Sequence, residues 1–189
     1  MSTDVKKKNP VTPEGRVSYP CLFQPRAFGG DENKPKKYSV VLLFPKSVDL
    51  SAFEKLVEEA AKAKWGKDVP KKLKRPICDG NQEEGDEYQD TNFIRLSSNE
   101  DHPPKVVGPD KKPLDPKDLY PGCWGRASIR AYAWEFEGVK GVNFGVVNFQ
   151  KTRDDEPFGS TSDPDEDFDE VSTGSDSADD DFFGEDVPF

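Results

Sequence analysis

The chain has one histidine, three cysteines and one methionine. His102 stands alone in a loop beside Pro103 and Pro104, which argues against histidine-based triads and zinc sites. Cys21, Cys78 and Cys123 are odd in number, far apart and without CxxC spacing. That excludes a disulfide scaffold and suits a reducing cytosol. No apolar run approaches about 18 residues, so no membrane-spanning helix is expected. Lys6-Lys7-Lys8 is followed by no apolar segment, so no signal peptide is expected either. Walker, GxSxG and HExxH motifs are missing. Asp163, Asp165, Asp167 and Asp169 are spaced like the start of an EF-hand loop, but the turn glycine and flanking helices are lacking. Neither a metal, nor another cofactor, nor an enzymatic activity is expected.

Basic residues are absent after Arg153. Residues 154–189 hold 15 Asp or Glu and neither Lys nor Arg, so all 27 bases and the other 22 acids precede them. The body is then net +5 and the tail net −15, which the overall −10 conceals. A basic body suits a polyanionic partner, whereas a tail of that sign would repel one. Hydrophobic residues make up 33% of the chain and charged residues 34%, so part of the chain is expected not to fold.

The sequence divides into three. Residues 1–14, with three lysines and two prolines, read as a mobile N-terminal arm. Residues 15–153 read as one folded domain, and 154–189 as a disordered acidic tail. Within the domain, Arg16–Phe23 and Tyr38–Phe44 have the β-branched and aromatic content of strands, joined by a loop from Gln24 to Lys36. Ser51–Trp65 is the one clear helix, with Phe53, Leu56, Val57, Ala60 and Trp65 toward one face. Asp49 or Ser51 would cap its start, and Gly66 would stop it. Tyr88–Leu96, Trp124–Phe136 and Val142–Gln150 complete a set of five strands, with long loops at 70–87 and 103–121. The fold class is mainly β, and an OB-fold-like five-stranded barrel with one helix fits. Ubiquitin-like and SH3-like folds are rivals, since the usual OB helix comes later in the chain.

One strand carries the functional argument. At period two, Trp124–Phe136 separates into a mostly small and apolar set, Gly125, Ala127, Ile129, Ala131, Ala133 and Glu135, and a set mixing rings with cations. The second set holds Trp124, Arg126, Ser128, Arg130, Tyr132, Trp134 and Phe136. Single-stranded nucleic acid needs that mixture, because unpaired bases stack on aromatic faces while cations follow the phosphates. Phe93 and Arg95 are expected to repeat the theme on the strand before. Arg16, Lys36, Lys37 and Lys140 are further candidates for phosphate contact. Trp124 and Trp134 taken singly fit a core position as well as an exposed one; as a set, two arginines between rings are costly to bury.

The acidic tail is punctuated by Phe158, Phe168, Phe182, Phe183 and Phe189 and ends Gly184-Glu185-Asp186-Val187-Pro188-Phe189. That ending resembles the C-terminal tip of bacterial single-stranded DNA-binding proteins. The body departs from that family. Arg16-Val17-Ser18-Tyr19-Pro20, the stretch from Lys37 to Pro45, and Gly141-Val142-Asn143-Phe144-Gly145 resemble instead the OB-fold single-stranded DNA-binding proteins of tailed bacteriophages. The resemblance implies sequence-independent binding and protection of single-stranded DNA in phage replication and recombination, in the cytoplasm of a bacterial host. It also implies recruitment of replication, recombination and repair proteins through a docking tip formed by Asp186, Val187, Pro188 and Phe189.

A coil of the tail's length spans roughly 33 Å. It could therefore reach the protein's own cationic face, where carboxylates would imitate phosphates and phenylalanines would imitate bases. The expected partners are thus single-stranded DNA and replication enzymes, with no membrane, and a homo-oligomer is left open. One rival is an acidic-tailed histone-like chaperone or DNA-mimic protein that binds basic partners. A nuclease with acidic metal ligands is less well served, since no acidic cluster falls among the body strands.

Overall fold

The computed structural model describes residues 8–159. Seven strands and one α-helix follow in chain order: β1 Gly15–Ala27, β2 Lys36–Pro45, α1 Ser51–Trp65, β3 Ile77–Asp79, β4 Thr91–Asn99, β5 Lys105–Val107, β6 Trp124–Phe136 and β7 Val139–Arg153. All five expected strands are present. The two short additions, β3 and β5, lie in the stretches read as long loops; three residues are too few for a period to show.

The five long strands close into a ring. β1 pairs antiparallel with β2, β2 with β4, β6 with β7 and β6 with β1, and a parallel contact between β4 and β7 completes the circuit. This order is that of the OB-fold. The helix sits between the second and third ring strands, where the sequence put it. Asp49 accepts a bond from the Ser51 amide at 2.9 Å, and Gly66 ends the helix at φ 59°, a value that favours glycine.

Alternation along the strands sorts side chains between inside and outside. Val17, Val40, Leu42, Phe44, Ile94, Leu96, Ile129, Val142, Phe144 and Phe149 point inward and are buried. Phe53, Val57 and Ala61 of α1 join them, with the Phe53 ring edge-on to Phe144 at 6.3 Å. β6 follows its period-two reading: Ala127 and Ile129 are buried, while Arg126 and Arg130 are exposed. Gly125 is required there, because a Cβ would come within 2.4 Å of the Phe149 ring.

A second apolar cluster lies outside the ring. Val41 and Leu43 of β2 and Phe93 of β4 face away from the main core and are covered by Tyr88, with Cys78 and Phe158 at the edge. Tyr88 meets Phe93 edge-on at 5.2 Å. This corrects the expectation for Phe93. It does face out from the ring, but it is fully buried under Tyr88 and unavailable to stack on a base.

Both ends assigned outside the domain begin with docked residues. Thr12 exchanges bonds with the backbone of Ala127, its amide donating to the Ala127 carbonyl at 2.9 Å and its hydroxyl accepting from the Ala127 amide at 3.1 Å. Val11 bridges Ser128. Glu14 accepts from Thr152 and Arg153, contacts that hold its carboxyl below the usual range. Residues 10–14 are therefore paired with the ring and are not a free arm. Asp154–Phe158 is likewise fastened, as described below. No described helix is long and apolar enough to cross a membrane. Residues 160–189, including Asp186, Val187, Pro188 and Phe189, lie outside the described residues, as do residues 1–7.

Candidate nucleic-acid interface

The outer face of β1, β2 and β4 is set out by register. Moving along it, Arg16 aligns with Leu43 and Phe93, Ser18 with Val41 and Arg95, Cys21 with Ser39 and Ser97, and Arg26 with Lys37 and Asn99. At the Arg16 end the face is roofed by the outer apolar cluster. Toward the other end it opens into a groove of about 850 Å³. Ser39, Ser97 and Asn143 give this groove a small polar floor, and the β1–β2 hairpin forms one wall with Tyr19, Arg26, Phe28, Lys34 and Lys37. Trp134, Lys74, Arg75 and Arg95 line the remainder.

Tyr19 is presented by a bulge. The register between β1 and β2 jumps between Ser18 and Cys21, so an extra residue must be accommodated. Tyr19 takes φ 45° and is 68% exposed. A bulky residue in the left-handed region is strained, and bulges re-aim side chains beside functional sites. Phe28, at the hairpin end, is 83% exposed, and Lys34 lies 5.8 Å from its ring centroid. Two large rings in water, next to Arg26, Lys34 and Lys37, form an aromatic and cationic surface at the groove mouth.

Trp134 is half-buried against Gly141, where a Cβ would come within 2.6 Å of its ring. Its Nε1 is the single buried side-chain polar atom without a partner among the described residues. Arg95 is 61% exposed; it pairs with Glu83 at 3.3 Å and lies 5.0 Å from the Phe93 ring centroid. An exposed pair of this kind contributes little to stability, so Arg95 can exchange partners. Arg75, by contrast, is committed to Glu54 and Glu58 at 3.1 and 2.6 Å. Burial pushes the Cys78 thiol up, away from the reactive thiolate.

The other expected site residues fall in five places. Arg130 and Tyr132 line a neighbouring concavity with Ser97, Ser98, Asn99, His102 and Gly145. Arg126 is exposed and bonds Gln150 at 2.9 Å, outside both concavities. Lys36 is exposed at the loop end of the hairpin, opposite Ala27, whereas Lys140 turns toward Trp65, at 5.8 Å from its ring centroid, and pairs with Glu135 at 3.8 Å. Arg16 and Trp124 are already engaged by the first residues of the acidic segment. Trp124 Nε1 donates to Asp155 at 2.6 Å, and Arg153 covers its ring at 4.1 Å. Arg16 donates to the Glu156 carbonyl at 2.6 Å, pairs with Asp155 at 3.9 Å and overlies the Phe158 ring at 4.3 Å.

A polar lock beside Trp124 completes that anchorage. Lys151 is buried and donates to the Asp118 carbonyl and the Asp154 carboxylate. Burial pulls the Lys151 ammonium down, but the bond to Asp154 and the charges of Asp154, Cys123 and Tyr120 together outweigh that and leave it raised. The Tyr120 hydroxyl donates to Asp154 at 2.8 Å and accepts from the Asp155 amide at 3.2 Å. Asp154 is held below the aspartate range by Lys151 and Tyr120, and Asp155 by the Trp124 indole and the Glu156 amide.

The sequence reading thus missed Tyr19, Phe28, Arg26 and Lys34. The last three had a signal, since the 24–36 loop interleaves bases with an exposed phenylalanine around Gly29-Gly30. Tyr19 had none, because a bulge depends on the partner strand. Among the described residues no group of acids, cysteines and histidine could hold a metal ion.

The family model described as "Enterobacter phage Enc34, ssDNA-binding protein" matches residues 8–183. No curated protein matches. The structure is similar to that of the single-stranded DNA-binding protein from bacteriophage Enc34 in complex with ssDNA, at 27% identity and a TM-score of 0.67, over 82% of this chain and 91% of that one. Another structure of the single-stranded DNA-binding protein from bacteriophage Enc34 aligns at 26% identity and a TM-score of 0.64, over 87% of this chain and 92% of that one. The gp2.5 single-stranded DNA-binding protein of bacteriophage T7 shares the fold at 13% identity and a TM-score of 0.60, over 86% of this chain and 96% of that one.

Proposed function

The chain belongs to the single-stranded DNA-binding protein family of Enterobacter phage Enc34, and from that premise we propose that it binds single-stranded DNA in the groove between the β1–β2 hairpin and Trp134. The family's function is binding, not catalysis. The observation that carries the site is Tyr19, strained at φ 45° on a bulge and turned into a groove lined by Arg26, Lys34, Lys37 and Arg95. Unpaired bases would stack on Tyr19, Phe28 and Trp134, and the cations would follow the phosphates. Such contacts read no sequence, which suits coating of DNA during phage replication in a host cytoplasm.

Two finer roles concern the acidic tail. Self-competition is supported by its described root, where a carboxylate and a phenyl ring, Asp155 and Phe158, already occupy Trp124 and Arg16. A phosphate and a base would use the same two groups. Recruitment of replication or recombination enzymes would fall to Asp186, Val187, Pro188 and Phe189, an apolar and acidic peptide suited to a basic-rimmed pocket.

The deciding measurement is binding of fluorescent oligo-dT against salt for the wild type and for Tyr19→Ala, Arg95→Ala and Trp134→Ala. Wild-type affinity should fall steeply with salt, and the aromatic variants should lose tryptophan quenching or affinity. Retention of full affinity by all three variants would remove the groove from the reading. Failure of the wild type and of a chain lacking residues 160–189 to bind at all would favour the chaperone or DNA-mimic alternative.

A further inference from the structure

The parallel contact between β4 and β7 is only two residues long, Leu96 with Phe144 and Ser97 with Gly145. Beyond it the second concavity opens, of about 540 Å³. Ser97 belongs to both hollows. β6 registers Tyr132 opposite Asn143 and Arg130 opposite Gly145. Asn143 lines the first groove and Gly145 the second. The two are therefore successive stretches of one trough, and the step between them is floored by small side chains.

The second stretch has its own binding chemistry. Tyr132 is 41% exposed, so a ring face is open to a planar ligand. Arg130 is exposed, and its nearest partner is the Asn9 side chain at 3.4 Å, a long bond to a neutral group. Asn99 adds a neutral donor, the Ser98 hydroxyl donates to the His102 carbonyl, and the Asp101 carboxylate is directed to the His102 imidazole at 2.9 Å. Among the described residues Arg130 has no carboxylate partner, whereas Arg75 is paired with Glu54 and Glu58.

We infer that bound single-stranded DNA continues past the groove, crosses the β4–β7 seam at Ser97 and Gly145, and occupies a second subsite with a base on Tyr132 and a phosphate on Arg130. This rests on the groove being the primary DNA site. It makes Arg130 and Tyr132 determinants of occluded length, so they act only on DNA long enough to pass the seam.

The experiment is a length series of oligo-dT, from about 4 to about 20 nucleotides, a range that brackets the usual site of one OB-fold. It is read by anisotropy on the full chain, for the wild type, Arg130→Gln, Tyr132→Ala and Arg95→Ala. Both positions are exposed, and unchanged melting would verify that the variants fold. Arg130→Gln and Tyr132→Ala should bind the shortest oligomers like the wild type and lose about tenfold on the long ones. Arg130→Gln should also reduce the salt slope by about 1 on long oligomers alone. Arg95→Ala should weaken every length. Equal losses at all lengths, or none at any length, for Arg130→Gln and Tyr132→Ala would overturn the second subsite. Unchanged binding by Arg95→Ala at every length would instead count against the primary groove.

Discussion

Arg16 holds its guanidinium 4.3 Å above the ring centroid of Phe158. That ring also packs on the cluster of Val41, Leu43, Tyr88 and Phe93, at the closed end of the face whose open end is the proposed DNA groove. Phe158 thus belongs both to the fold and to the tail. Two truncations separate these roles. Removing residues 160–189 takes away acid but leaves the Arg16 contact. Removing 154–189 also frees Arg16 and Trp124 and uncovers the apolar cluster. Oligo-dT affinity at low salt should rise with the first deletion and rise again with the second. The second should also lower stability by about 1 kcal/mol, since a partly buried aromatic is lost. Equal affinity of all three chains in the titration would end the self-competition reading.

Tyr19 tests whether its backbone strain serves the site. Tyr19→Ala removes the ring but keeps a Cβ at φ 45°. Tyr19→Gly removes both. Each should lose about 1–3 kcal/mol of oligo-dT binding, the contribution of one stacked base. Their melting temperatures should differ, with the glycine variant more stable by about 1 kcal/mol because it adopts positive φ without penalty. A Tyr19→Gly variant that melts below Tyr19→Ala would show that the bulge is not strained.

Phe93 and Arg95 stand two residues apart on one face of β4 and should behave oppositely. Phe93 is fully buried. Phe93→Ala should therefore cost about 3–5 kcal/mol of stability, while binding measured well below its transition stays close to wild type. Arg95→Ala should leave stability within about 0.5 kcal/mol and make the salt dependence of DNA binding shallower by about one unit of slope. Denaturant melts and salt titrations on the same two samples decide it. An unfolding midpoint lowered equally in both would mean that Arg95 is structural.

The Phe93 result also marks how far the sequence could be read. The strands and their inward faces were within reach, because the alternation of Ala127 and Ile129 with Arg126 and Arg130, and the apolar run of β2, are local properties of each strand, whereas the choice of an OB-fold ring over its rivals leaned on the family resemblance. Burial of an outward residue is not local. Phe93 and Arg95 look alike in the pattern of β4, and only Tyr88 and Phe158, the latter from 65 positions further on, decide that one is covered and the other free. The same holds for Trp124, which shares the alternation of Trp134 but meets Asp155 and Arg153 after the chain returns along β7. Charge counting marks the acidic segment from Asp154 onward but could not show that Asp154–Phe158 is bound to the domain.

The lock on those residues should open with acid. Asp154 and Asp155 titrate below the ordinary aspartate value of 3.8, Asp154 because of Lys151 and Asp155 because of the Trp124 indole. A carboxyl lowered by folding stabilises the bound form above its unfolded value, and that contribution disappears as pH falls through the lowered value. The anchorage of Asp154–Phe158 should therefore be constant from neutral pH down to about pH 4 and weaken only below it. The Trp124 indole N–H, which donates to Asp155 at 2.6 Å, reports this directly. Its proton and nitrogen resonances should hold steady above about pH 4 and shift below it, while those of Trp134, whose N–H has no partner among the described residues, stay in place until the whole domain unfolds. Asp155→Asn should abolish the Trp124 transition and leave Trp134 unchanged. A Trp124 resonance that titrates near pH 6, or that moves only together with Trp134, would show that Asp155 does not hold it.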